Sequence, residues 1–264
     1  MFHRNRKSRP AQCAVGGFVL ATLWLPSWSE ARAQTQLVLI APRGIRGAVE
    51  QLLPSFERKT GQKVRAEFTS GGDVTVQVLS GDPFDLVILH PPFPQETASG
   101  NISAETVRLL ASAALGMAVR KGAAVPVIDT SDALRRTLLS VATIACPDGA
   151  RGATAGPIFD KIIGKLGITD QIRPKLRLVA SGDAAIEMVA RGEAELGLTY
   201  VSEMNQPGIS VVGAVPRELA EPAPYAGVIG SHTARRAAAQ ALLDFLASPE
   251  AATIYTEHGM QALQ

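Results

Sequence analysis

Cysteine is almost missing from this chain: two in 264 residues, Cys13 and Cys146. Cys13 falls in an N-terminal segment that reads as a removable leader, so one thiol is left and no intrachain disulfide can form. Stability must then come from an apolar core. With 46% hydrophobic residues over this length, the chain can build one, as one large domain or two small ones. Cys146, beside Pro147, reads as a small buried residue rather than a nucleophile. No set of His, Cys and carboxylate residues has metal-ligand spacing, so neither a metal nor another cofactor is expected. There is no G-x-S-x-G of a hydrolase. Glycines 149, 152 and 156 are not followed by Gly-Lys-Ser/Thr, which excludes a nucleotide P-loop and leaves an amide nest for an anion. Internal repeats and low-complexity tracts are also lacking.

The net charge of +2 comes from the first residues. Arg4, Arg6, Lys7 and Arg9 precede an apolar stretch from Cys13 to Trp28, and Ala31-Arg-Ala33 supplies an A-x-A cleavage site. This is the layout of a secretory signal peptide over residues 1–33. Its apolar core is short and interrupted by proline, unlike a membrane span. The leader holds five of the 26 basic residues and one of the 24 acids, so the remainder carries 21 against 23, a net charge of −2. That balance offers no basic face for nucleic acid. No later segment reaches membrane-spanning length, so a soluble, exported protein is expected.

Residues 36–110 alternate strand and helix patterns: strands at 36–41, 63–69 and 84–89, helices at 45–60 and 74–79. The rhythm resumes over 115–215, with strands at 115–120, 141–145, 176–179, 196–201 and 209–215 and helices at 131–139, 158–166 and from Ser181 to Gly192. A strand at 225–229 and helices at 234–247 and from Ser248 onward complete the chain. Such alternation predicts parallel sheets covered by helices, in two α/β lobes. Two loops stand out, Ala41-Pro-Arg-Gly-Ile45 and Thr69-Ser-Gly-Gly-Asp73. Each joins a strand to a helix, whose free amides and positive dipole end suit an anion. Ordinary turn glycine is the alternative for either loop alone.

Four segments carry a family resemblance: FTSGGDVTVQVLSGDPFDL at 68–86, AGPIFDKIIGKLG at 155–167, AELGLTY at 194–200 and FLASPEAA at 245–252. Together they resemble the periplasmic solute-binding proteins of ABC importers, in the molybdate-binding branch, over nearly the whole chain after the leader. The resemblance implies the type 2 periplasmic binding protein fold: two Rossmann-like α/β lobes with a ligand cleft between them. Lobe 1 would comprise 34–113 and 228–264, and lobe 2 residues 114–227, with strands 115–120 and 225–229 at the hinge crossings. It also implies an anion held by two serines, helix-end amides and a tyrosine. Carried over one at a time, the first serine falls on Gly44 and the second on Gly71, next to Ser70. Second-lobe amides fall at Ala155 and near Gly182, and the tyrosine is Tyr200. Both serine hydroxyls are therefore absent.

Arg43 and Arg151 are the expected replacements, since a guanidinium grips a carboxylate bidentately. The alternative is that they are solvated or paired with Asp73 and Asp183. Arg46 is expected on the helix surface. The expected ligand set is thus Arg43, Gly44, Ser70, Gly71, Gly72, Arg151, Ala155, Gly182, Asp183 and Tyr200. His90 ends a strand, where cleft residues gather in open α/β sheets; a turn histidine is the alternative reading. The resemblance implies a periplasmic protein, expected to be monomeric, that captures a small anion of the molybdate type and delivers it to an ABC permease; Arg43, Arg151 and the missing serines point instead to an organic polycarboxylate. The alternative on the same fold is an enzyme isomerising an aconitate-type tricarboxylate, with His90, Asp183, Tyr200 or Glu203 as acid or base.

Overall fold

The computed structural model describes residues 36–263, so the leader, its cleavage site and Cys13 lie outside the described residues. Strand β1 (Leu37–Pro42) is a run of aliphatic side chains buried at five of six positions, as a strand covered on both faces requires. A 3-10 turn, Arg43–Ile45, leads into α1 (Arg46–Thr60). Ala48, Val49, Leu52 and Phe56 form the inward stripe of α1, which ends on Gly61 in the left-handed conformation. Then come β2 (Val64–Thr69) and α2 (Gly71–Ser80), whose N-cap Ser70 accepts from the Asp73 amide. Strand β3 (Leu86–Leu89), the short helix α3 (Pro94–Ala98) and β4 (Arg108–Ala113) complete this half.

The second run holds β5 (Leu115–Arg120), α4 (Ser131–Ser140), β6 (Ile144–Pro147), α5 (Ala155–Lys165) and the one-turn α6 (Thr169–Ile172). It continues through β7 (Leu176–Val179), α7 (Gly182–Ala190), β8 (Leu196–Tyr200) and β9 (Ile209–Ala214). The chain closes with β10 (Ala223–Ile229), α8 (Arg236–Leu246), α9 (Pro249–Glu257) and β11 (Met260–Ala262).

These strands form two mixed sheets, ordered β11-β4-β10-β3-β1-β2 and β7-β6-β8-β5-β9. Only the β1, β2, β3 and the β6, β7, β8 pairings are parallel, as expected where a helix carries the chain between strands. Strands β10, β4, β11, β5 and β9 pair antiparallel, which corrects the wholly parallel expectation. The chain passes between the sheets at Ala114 and again over residues 215–222. The expectation that strands 115–120 and 225–229 are themselves the crossings is thus displaced by a few residues. Strand β10 pairs along its length with β3 and β4, so the division drawn at 227/228 moves forward into 215–222. Strands β4 and β11 were not read from the sequence, since Ala- and Ser-containing segments of this length lack a clear period.

The C-terminal helices return to the first sheet: α8 packs on β10, and α8 and α9 pack on α1, with the Phe56 and Phe245 rings 5.6 Å apart. Cys146 lies buried on β6, its thiol pushed up to about 12 chiefly by burial, which makes it the inert residue expected. Asp85 is 2% exposed at the start of β3. Its carboxylate accepts from the Val38 amide at 2.7 Å, from Arg235 Nη2 at 2.8 Å and Nε at 3.2 Å, and from the Thr233 hydroxyl. The motif aspartate therefore ties the first sheet to the approach to α8. Replacing Asp85 by alanine strands a guanidinium and an amide, and we expect a loss of about 3–5 kcal/mol. Urea unfolding of D85A should show a lower midpoint at unchanged slope; an unchanged midpoint would refute the assignment.

Candidate functional site

Four helical N-termini meet between the sheets: the turn at Arg43, α2, α5 and α7. Each leaves its first amides without an intrahelical acceptor. Together with the ends of β3, β8 and β10 they enclose a cavity of about 30 Å³, room for one or two waters. Arg43, Gly44, Ser70 and Gly71 line it from the first run of the chain. Ala155, Gly182 and Tyr200 line it from the second, and His90 is also in the wall.

Glycine makes this convergence possible. A Cβ on Gly44 would overlap the Tyr225 hydroxyl, so the space of a serine side chain is filled by a phenol from β10. A Cβ on Gly71 would come within 2.7 Å of Thr154 Cγ2, and one on Gly182 would overlap the side chains of Thr199 and Glu203. The two hydroxyl groups absent from the expected serine positions thus have neighbours in the wall, Tyr225 Oη and Thr154 Oγ1. The second is hydrogen-bonded to Tyr200 Oη at 2.9 Å. Direct bonds also join the two halves: the Gly72 amide donates to the Gly152 carbonyl at 3.0 Å, and Ser202 Oγ donates to the Gly44 carbonyl at 2.6 Å.

Three residues of the expected ligand set do not line the cavity. The Gly72 amide is taken by Gly152. Arg151 sits on an exposed turn, its side chain 66% accessible and 3.7 Å from Asp148. Asp183 faces an adjoining pocket, accepting a 3.4 Å bond from Gln206. Arg46 pairs with Glu50 one helical turn on, as a surface residue does. Thr154, Thr199 and Tyr225 were not read as site residues. Tyr225 lay inside an apolar strand run and passed for core, and Thr154 has no motif around it; its place just before α5 is the one available signal.

The charges are few. Arg43 lines the cavity and makes no salt bridge among the described residues. Glu203 is pushed up to about 7, chiefly by burial, against the hydrogen bond from Thr199 and with the Asp183 charge adding to the rise. Burial likewise pushes the Tyr200 hydroxyl up to about 12 and raises Tyr225 well above its ordinary value, so both remain proton donors. His90 stacks beside Tyr200 at 6.1 Å and tilts against Tyr225 at 4.4 Å. Its Nδ1 lies 3.0 Å from the Pro224 carbonyl, which can only accept, so Nδ1 carries the hydrogen. Burial lowers the pKa of the ring, which keeps it neutral with a bare lone pair on Nε2. Nε2 and Tyr225 Oη are both shielded from solvent and have no hydrogen-bond partner.

The model of the bacterial extracellular solute-binding proteins matches residues 37–261. An aconitate isomerase from Pseudomonas sp is 30% identical over 255 residues, covering 94% of this chain and 95% of the relative. The molybdate-binding protein ModA of Azotobacter vinelandii is 28% identical over 234 residues, covering 86% and 89%. Among solved structures, the periplasmic molybdate-binding protein of A. vinelandii superposes with a TM-score of 0.73 at 21% identity, covering 87% of this chain and all of that one. The sulfate-binding protein SubI of Mycobacterium tuberculosis H37Rv gives 0.72 at 15%, covering 87% and 88%.

Two outcomes follow from the cavity. Gly44→Ala forces Tyr225 out of place, and a loss of about 1–3 kcal/mol in denaturant unfolding is expected, as for other overpacked sites; a neutral G44A would remove the steric argument. Glu203 has a raised folded-state pKa, so its contribution to stability is intact below the unfolded value of 4.5 and lost as pH rises through about 7. Glu203→Gln, which cannot ionise, should therefore match wild type in acid and exceed it above neutrality. Allowing for the partial access of the side chain to solvent, the gain is on the order of 1–2 kcal/mol. Melting temperatures measured across pH check the sign.

Proposed function

Because the chain belongs to the bacterial extracellular solute-binding proteins, we propose that its cavity is the mouth of a cleft that captures a small organic polycarboxylate in the periplasm. The observation that carries this reading is Arg43. A cavity-lining guanidinium that makes no salt bridge among the described residues, with only the through-space charges of Glu203 and Asp73 acting on it, can fork a ligand carboxylate. The Tyr225 hydroxyl and the helix-end amides stand beside it as neutral donors. The cavity is smaller than a tricarboxylate, so capture requires the two halves to part and close again. The leader-like N-terminus supports export, and delivery to an ABC permease is the role that fits a binding protein of this family.

His90 supports a second reading, an aconitate-type isomerase. A neutral imidazole with Nε2 bare and unpaired is a base placed in an anion site. In an allylic shift, Nε2 takes a proton from the methylene of the tricarboxylate. The C–H electron pair becomes the new double bond, the old double bond moves its pair to the far carbon, and that carbon takes the proton back from Nε2, which restores the neutral imidazole. Composition is unchanged, and Arg43 with the tyrosine hydroxyls would hold the charge that builds on the carboxylates.

A thermal-shift panel of citrate, cis- and trans-aconitate, molybdate, tungstate and sulfate tests the first reading, since a ligand specific for the folded state raises the melting temperature by mass action. Polycarboxylates are expected to shift it. A shift with molybdate or tungstate alone would replace the polycarboxylate reading by an oxyanion one. Proton NMR of trans-aconitate incubated with the protein tests the second reading; an unchanging spectrum would dismiss it.

A further inference from the structure

The donors and acceptors of the cavity are unevenly matched to a fully ionised ligand. Arg43, the Tyr225 hydroxyl and the first amides of α2, α5 and α7 all donate, and anionic oxygens satisfy them. His90 Nε2 does the opposite. The Pro224 carbonyl holds the hydrogen of the ring on Nδ1, so Nε2, which lies on the Gly71 side of the cavity wall, has only a lone pair to offer. The phenol of Tyr225, although its ring lies against that of His90, does not donate to it. Swapping the tautomer would break the Pro224 bond and leave that carbonyl unpaired.

We infer that His90 sorts ligands by hydrogen: the cavity takes an anion that brings an O–H or a polarised C–H to Nε2 and rejects one whose every face is bare oxygen. An oxyanion such as sulfate or molybdate presents an acceptor in every direction. In so small a space, one of its oxygens must meet the lone pair, and either the clash or an unpaired nitrogen weakens binding. A polycarboxylate avoids this by turning its oxygens toward Arg43 and the amides and a hydroxyl or methylene toward His90. The inference rests on the proposal that this cavity is the anion site, and it narrows the ligand class within it.

Sulfate and hydrogen phosphate have the same shape and differ by one hydrogen, which makes them the deciding probes. Calorimetric titration of the purified protein at neutral pH should show hydrogen phosphate binding at least about tenfold tighter than sulfate. His90→Gln places an amide that can turn its N–H₂ toward the ligand, so H90Q should bind sulfate about tenfold better than wild type and lose the preference. Glu203→Gln, which removes the carboxyl group of the wall, should strengthen both anions and keep the preference. Thermal unfolding of each variant verifies that it is folded. Equal binding of the two anions by wild type overturns the inference. So does an H90Q variant that is folded but gains no sulfate, or loss of the preference in E203Q instead. Citrate and aconitate titrated alongside separate the two ideas. If they fail to bind while hydrogen phosphate still outranks sulfate, the polycarboxylate reading falls and the role of His90 stands. If they bind and H90Q gains no sulfate, the reverse holds. If no anion binds, both fall.

Discussion

The missing side chains at Gly44, Gly71 and Gly182 are the constraint on which the site depends. Gly71 and Gly182 open helices directed at the cavity and Gly44 lies in the 3-10 turn that begins at Arg43, and each leaves a space that a larger neighbour fills: Thr154, Thr199 with Glu203, and Tyr225 respectively. A helix end alone offers amides and a dipole, and those bind anions with little discrimination. Filling the gaps with two phenols, a threonine pair, an acid and an imidazole changes the chemistry of the wall while leaving the backbone cradle in place. A fold of this kind does not by itself fix the ligand; the side chains beside the glycines decide what chemistry the wall can offer.

Low polarity then amplifies each group. Burial raises Glu203 to about 7 and holds both tyrosines protonated, and it keeps His90 neutral with its proton on the side away from the cavity. A neutral base, a poised acid and a fixed cation within one enclosure are more than retention of a simple anion requires. On the second proposed reading they would be the components of proton transfer next to a carboxylate.

Much of this was legible in the sequence, and the remainder was not for identifiable reasons. The βα rhythm, the helix ends at Arg43, Gly71 and Gly182, and the place of His90 at a strand end all follow from local pattern, because period and capping are local properties. Arg43 and Arg151 looked alike on paper. What separates them is that one follows a buried strand into the cavity, while the other sits on an exposed turn with Asp148 at hand. Tyr225 was hidden for the opposite reason: a tyrosine in an apolar run has the pattern of core, and it is indeed fully buried. Its role depends on Gly44, some 180 residues away, and no local rule couples the two. Strand direction was misjudged for the same reason. Parallel pairing is announced by an intervening helix, whereas the antiparallel return of β10 depends on where a Pro-rich segment delivers the chain.

The way the two sheets are joined links binding to shape. Among the described residues the chain crosses between them at Ala114 and at 215–222, and β10, which carries Tyr225 and whose Pro224 carbonyl accepts the hydrogen bond of His90 Nδ1, begins directly after the second crossing. Across the cleft, the Gly72 amide meets the Gly152 carbonyl, and Ser202 meets the Gly44 carbonyl. Any parting of the sheets breaks both bonds and carries Thr154 and Tyr200 away from Gly71. One amide of α2 is thus committed to the bond between the halves while Gly71 beside it lines the cavity, so parting the halves would open the cavity at the adjacent residue. An anion that satisfies the remaining donors adds its binding energy to those two bonds. On the proposed reading, one that leaves His90 unpaired or repelled would work against them, so discrimination between ligands would be expressed as a difference in how firmly the halves stay together.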